Sequence, residues 1–167
     1  MKLRTTLVAS LLLITSLPGL AKLPEQDDIV SVMQQVADWQ IAHFHDDIER
    51  ENEWENRFNA WTYGALYIGM EKWAQMAPSD KYYQFLLEAA ANNNWDLGPG
   101  KYHADDQAVG QLYLSLYEKF QQPHMLAKVL ERTEWIMNNP SQQPMRLNHY
   151  KYTERWTWCD ALFMAPP

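Results

Sequence analysis

From Trp61 to Met70 nearly every residue is apolar or small: Trp61, Tyr63, Gly64, Ala65, Leu66, Tyr67, Ile68, Gly69 and Met70. Wound as a helix, such a run offers water no face and has to be enclosed on all sides. Gly64 and Gly69 together cost a helix about 2 kcal/mol against alanine, a loss that usually accompanies close backbone approach to a neighbour. The chain therefore needs other elements to surround this one.

The flanking segments have the complementary pattern. From about 24 to 44, Ile29, Val32, Met33, Val36 and Trp39 recur at spacings of three and four, which places one apolar stripe on a first helix. Asp38, Asp46, Asp47 and the acidic run at 49–55 read as its solvated side and exit loop. The all-apolar second helix spans about 59–77. Pro78-Ser79-Asp80 supplies a stop and a new N-cap for a third helix at 80–92, carrying Tyr82, Tyr83, Phe85, Leu86, Ala89 and Ala90. Turn residues from Asn92 to Gly100 mark a loop.

A fourth helix is expected from Ala104 or Asp105 to Phe120, with Asp105 and Asp106 at its N-terminus, where the macrodipole favours negative charge. Pro123, suited to a first helical position, opens a fifth helix to about Asn138, with Leu126, Val129, Leu130, Thr133, Ile136 and Met137 aligned. A long polar and aromatic loop at 139–154 then leads into Trp156, Trp158 and Asp160 and the start of a sixth helix. No stretch alternates at period two for long enough to predict a strand, so the fold class is all-α.

Helices one, three and five read as amphipathic. Two, four and the incipient sixth open on a polar or aromatic cluster and continue with small and apolar residues. Gly64 and Gly110 are 46 residues apart and Asp160 lies 50 beyond Gly110, a period that fits helix-pair repeats. Half-buried helices alternating with fully buried ones suit two concentric rings. The inner helices would then bring Trp61, Asp105, Asp106, Trp158 and Asp160 to one end of a central cavity. An open solenoid of helix pairs is the competing architecture.

The first residues read as an address. Lys2 and Arg4 precede an apolar run from Leu7 to Leu17 and then Pro18-Gly19-Leu20-Ala21, the three parts of a secretory signal occupying 1–21. The expected mature domain, 22–167, is periplasmic or extracellular and has no membrane segment once the signal is removed. Its lone Cys159 allows no internal disulfide and reads as a small buried hydrophobe rather than a nucleophile. Loss of Lys2 and Arg4 moves the formal charge from −7 to −9. Such a surface repels nucleic acid, and no basic tract or glycine-rich phosphate loop offsets that.

Asp160 follows two tryptophans and precedes an apolar run, conditions that raise a carboxyl pKa toward the range a general acid needs. A helix-capping role suits it equally by spacing. Asp105 and Asp106 carry the same ambiguity. Trp61 and Trp158 suit stacking on a sugar face or ordinary core packing. His149, Lys151 and Arg155 bring positive charge to the loop before Asp160 and are candidates to meet an anionic substrate. No His/Glu cluster suggests a metal, and no cofactor is implied.

Three motifs carry a resemblance: Trp-Thr-Tyr-Gly at 61–64, His-Ala-Asp-Asp-Gln-Ala-Val-Gly-Gln at 103–111 and Trp-Cys-Asp-Ala-Leu-Phe-Met-Ala-Pro-Pro at 158–167. Together they resemble the unsaturated rhamnogalacturonyl hydrolases, glycoside hydrolase family 105, related to the unsaturated glucuronyl hydrolases of family 88. The resemblance implies an (α/α)6 barrel acting on oligosaccharides left by polysaccharide lyases, whose terminal uronic acid carries a 4,5 double bond. It implies that an aspartate protonates the enol ether and directs water onto C5, after which the hemiketal rearranges and releases the next sugar.

Carried over by motif, Asp160 is the general acid/base, one of Asp105 and Asp106 is a supporting carboxylate, and Trp61, Trp158, His149 and Arg155 are substrate contacts. The family's barrel needs twelve helices, where this chain offers five and the start of a sixth. The expectation is therefore about half a barrel, inactive by itself, which self-associates or pairs with a missing C-terminal half.

Overall fold

The computed structural model describes residues 23–46, 57–146, 148 and 151–165. The expected signal at 1–21, the acidic run at 49–55 and His149 lie outside them. Six helices follow in order: α1 (Gln26–Ala42), α2 (Trp61–Met76), α3 (Lys81–Asn92), α4 (Gly110–Phe120), α5 (Ala127–Asn138) and the single turn α6 (Ala161–Met164). Short 3-10 turns occupy Asp105–Gln107, Pro123–Met125 and Tyr152–Arg155. Among the described residues there is no strand, as the all-α reading requires.

The second helix is the hub, packing on α1, α3, α4 and the 3-10 turn at Asp105. Tyr67, Met70, Trp73 and Ala74 from α2 meet Tyr82, Leu86 and Ala90 from α3 and Leu112, Tyr113 and Leu116 from α4, all buried. An aromatic group extends this core. The Phe44 ring stacks on Phe58 at 5.1 Å and stands edge-on to Phe85 at 4.9 Å, which closes the segment after α1 over the α2–α3 pair. Asp38, assigned by sequence to the solvated side of α1, instead ties α1 to α3. It accepts a hydrogen bond from the Tyr82 hydroxyl at 2.8 Å and pairs with the Lys81 ammonium at 2.7 Å. Those two donors hold its carboxyl below the usual aspartate range.

Enclosure of α2 is incomplete. Trp61 (43% exposed), Ala65, Gly69, Lys72 and Met76 lie on one i, i+4 stripe that the described elements leave open. The predicted apolar stripe of α1 behaves the same way, with Val32 58% and Val36 62% exposed. Between the two helices runs an apolar groove of about 360 Å³, floored by Ala37, Met70 and Trp73. The two α2 glycines part company here. A Cβ on Gly64 would lie 3.1 Å from the Ala108 backbone and side chain, whereas one on Gly69 would meet nothing within 4 Å.

Three expected boundaries shift. Asp105–Gln107 is a 3-10 turn and α4 begins only at Gly110, because the 3-10 bonds Gln107 N–H to Ala104 O (2.9 Å) and Ala108 N–H to Asp105 O (3.2 Å) tighten the entry. Gln121, left-handed at φ 55°, ends α4. Pro123 then opens a 3-10 turn rather than α5, whose Leu130 and Met137 are exposed. At α3, Asp80 makes no capping bond. The Ser79 hydroxyl accepts from Lys81 N–H instead, at 3.4 Å.

The contrast between the glycines is measurable. Gly64→Ala forces the α2–α4 contact apart and lowers unfolding stability by about 1–3 kcal/mol, the usual result of overpacking. Gly69→Ala adds a methyl to open space, and its better helix propensity raises stability by up to about 1 kcal/mol. Urea unfolding of the two variants reads both signs.

Candidate functional site

Three helix starts meet where small residues let them. Gly64, in the first turn of α2, lies against Ala108. Ala104 and Ala108, on either side of the 3-10 turn, form a second small core with Ala161 and Met164 of α6. The 3-10 turn thus touches α2 on one flank and α6 on the other, and Asp105 and Asp160 come near enough for their charges to interact.

Three hydrogen bonds hold the approach to α6 and α6 itself. The Trp156 indole N–H donates to Tyr102 O at 2.7 Å, and the Gln111 amide donates to the carbonyls of Phe163 and Met164. Trp156 itself is left-handed at φ 49°, a conformation that strains a bulky residue and marks a sharp change of chain direction. After that turn Trp158 stands edge-on to His103, centroids 6.4 Å apart. Gln111 closes the 103–111 motif without a role assigned to it, and Trp156 lies outside the three motifs. Their roles depend on contacts more than 50 residues away in sequence.

The structure separates the adjacent aspartates. Asp106 points into the 98–100 loop. One carboxyl oxygen accepts from Gly100 N–H at 2.9 Å and the other lies 3.6 Å from the Arg57 guanidinium. Its main-chain carbonyl accepts from Gly98 N–H at 2.7 Å. Arg132 completes the clamp by donating to Gly98 O (2.9 Å) and Gly100 O (3.2 Å). A Cβ on Gly98 would fall 2.0 Å from the Asp106 carboxyl, so this loop admits no side chain there.

Asp105 turns the other way, toward His103 and Asp160. Burial pushes its carboxyl up from the ordinary value of 3.8; the attraction of His103 opposes the rise, and the carboxylates of Asp160 and Asp106 add to it. Asp160, expected among apolar neighbours, is instead exposed at the N-cap position of α6, where its side chain makes no capping bond.

The other candidates divide. Trp158 (38% exposed) lines a recess of about 10 Å³ with His103, Asp105 and Trp156. Trp61 stands exposed at the opening of α2, one turn before Gly64. Arg155 is committed elsewhere, donating to the carbonyls of Ser141 and Gln143 at 3.1 Å each, so it braces the preceding loop. Lys151 pairs with Glu154 at 3.3 Å. Cys159 is exposed, contrary to the expectation of a buried hydrophobe, because the turn into α6 directs it to solvent.

A larger cleft, about 620 Å³, lies between the 96–101 loop and α5. Its basic side chains are internally engaged. Arg132 grips carbonyls, Lys128 lies near Asp96 and Glu131, and Lys101 sits 4.1 Å over the Trp135 ring. Among the described residues no group of three or more His, Cys, Asp or Glu is placed to hold a metal ion.

Residues 32–167 match the model of glycosyl hydrolase family 88. An unsaturated 3S-rhamnoglycuronyl hydrolase of Alteromonas sp. (strain LOR) is 31% identical over 150 residues, 80% of this chain and 36% of the relative. A protein of the same name from Formosa agariphila is 31% identical over 117 residues, 64% of this chain and 29% of the relative. The chain therefore spans about a third of the length of these curated relatives.

Opposite stability effects are expected of the two aspartates. Asp106→Ala leaves Gly100 N–H and Arg57 without their acceptor and destabilises by about 1–3 kcal/mol. For Asp105 the folded state binds the proton more tightly than the unfolded state. Its contribution is therefore present below pH 3.8 and is lost as pH rises toward the higher folded value. Asp105→Asn removes that loss, so its stability relative to the parent climbs through this interval and stays level above it. Chemical denaturation over a pH series measures both.

Proposed function

The chain belongs to glycosyl hydrolase family 88, and from that premise we propose that the Asp105–Asp160 pair serves removal of a 4,5-unsaturated uronic acid. The substrate is the non-reducing end of oligosaccharides generated by lyases, of the rhamnogalacturonan or pectin type. The observation that carries this reading is the juxtaposition of two carboxylates at two helix starts, one pushed up by burial and one open to solvent, beside the Trp158 ring. The name shared by the two relatives, unsaturated 3S-rhamnoglycuronyl hydrolase, supports the unsaturated glycuronyl unit and leaves the polysaccharide of origin to the proposal. An exported location, from the segment ending at Ala21, fits such a saccharide.

In this scheme Asp160 gives a proton to C4 of the enol ether. Water adds its oxygen to C5 and returns a proton to Asp160. The hemiketal then opens and the next sugar leaves. Asp105 supports the exchange: burial, with the nearby Asp160 carboxylate adding to it, holds its carboxyl above the ordinary aspartate value. Asp106 stays with the 98–100 loop. The chemistry occurs at the alkene rather than by direct displacement at the anomeric carbon, so the separation of the carboxylates carries no message about retention or inversion. Trp158, and Trp61 at the opening of α2, offer sugar-stacking surface.

Turnover is followed as loss of ultraviolet absorbance from the double bond. With this segment in a polypeptide of the relatives' full length, Asp160→Asn lowers kcat by about 10²- to 10⁴-fold, the range for loss of a positioned proton donor. Asp105→Asn lowers it as well, without unfolding the protein. Full activity of Asp160→Asn would remove the assignment. Binding of saturated oligosaccharides without product, indifferent to Asp160, would identify a saccharide-binding module instead.

A further inference from the structure

We propose that His103 is a positioning residue for Asp105, holding one of its carboxyl oxygens so that the other is presented toward Asp160 and the sugar. The inference rests on the reading of Asp105 as the supporting carboxylate. His103 Nδ1 lies 3.8 Å from Asp105 Oδ2. That nitrogen is shut off from solvent and makes no hydrogen bond. A buried polar atom left in this state is costly, and a carboxylate is the group within reach.

The backbone of His103 is fixed on both sides. Its N–H donates to Gly100 O at 3.2 Å, and its carbonyl accepts from the Gln107 amide at 3.5 Å. Gly100 is in turn held by Asp106 and Arg132. On the ring's flank stands Trp158, nearly perpendicular at 79°. With the main chain pinned and the flank occupied, a small side-chain rotation brings Nδ1 and Oδ2 from 3.8 Å into the range of a charge-assisted hydrogen bond, about 2.7–2.9 Å.

The role needs the proton on Nδ1, so that the imidazole donates to the Asp105 carboxylate and favours its ionised form. The charged groups facing Asp105 are His103 and Asp106 from its own turn and Asp160 from the turn into α6. Asp106 is committed to Gly100 and Arg57, which leaves His103 as the neighbour that sets the orientation of Asp105.

The test is a carbon-13 carboxyl titration of Asp105 in the purified chain, with circular dichroism as a check of folding. His103→Ala moves the Asp105 midpoint upward, because an attraction that opposes the effect of burial is gone. His103→Asn, whose amide nitrogen occupies nearly the place of Nδ1, brings the midpoint part of the way back. A parent-like midpoint in folded His103→Ala overturns the proposal, as does an Asn variant that behaves like the Ala one. Should His103→Ala fail to fold, His103→Gln replaces it; its amide falls at the far ring nitrogen and the same upward move is required. The titration uses no substrate, so its outcome holds whether or not unsaturated uronides are turned over.

Discussion

Close backbone approach at Gly64, Ala104, Ala108 and Ala161 is the constraint on which the rest depends. Helix starts crowd together only where side chains are absent or a single methyl. Gly64 lets α2 lie against Ala108, and Ala161 lets the turn into α6 settle on the other side of the same 3-10 turn. A larger residue at any of these places would separate the elements that bring Asp105 and Asp160 together. The glycine cost in α2 is thus linked to the placement of carboxylates that belong to other elements.

Around that contact the polar groups divide their work. Asp106, Arg57 and Arg132 satisfy one another and the amides and carbonyls of the 98–100 loop. Arg155 does the same for the 141–143 loop. Trp156 and Gln111 fix the approach to α6 through main-chain carbonyls. These bonds are individually modest, but each satisfies a group that would otherwise be left without a partner in a loop that has no sheet or helix to supply one. Asp106 serves the 98–100 loop, and Asp105 is left facing His103 at 3.8 Å.

The open stripes of α1 and α2 follow from the same packing. Core residues on α2 reach α3 and α4 through Tyr67, Met70 and Trp73, and the opposite stripe at Trp61, Ala65 and Gly69 has no counterpart among the described elements. Exposed apolar area of this kind forgoes about 25 cal/mol per Å² of burial. The fold of the described residues is accordingly a set of packed helix pairs with one apolar face left open. The (α/α)6 closure implied by the family is a further arrangement that these residues by themselves do not form.

Periodicity in the sequence determined which segments are helices, and it did so because the 3.6-residue repeat of apolar groups is a local property that tertiary contacts here reinforce. Motif and composition set Trp61, Asp105, Asp106, Trp158 and Asp160 at one end of a central cavity and identified the family; of these the structure brings Asp105 near Asp160 and Trp158. Left open was the choice between Asp105 and Asp106; Cys159 was expected buried and is exposed, Arg155 was expected at the substrate and bonds the 141–143 loop, and of the two α2 glycines expected to allow close approach only Gly64 does so. Adjacent or similar residues of this kind are indistinguishable in one dimension. Only the tertiary structure placed their side chains, because each position turns on a partner elsewhere in the fold: Arg57 and the Gly100 amide for Asp106, the carbonyls of Ser141 and Gln143 for Arg155, Ala108 for Gly64. Hydrogen bonds and backbone contacts between segments distant in sequence are set by distance in space, which the order of residues does not state.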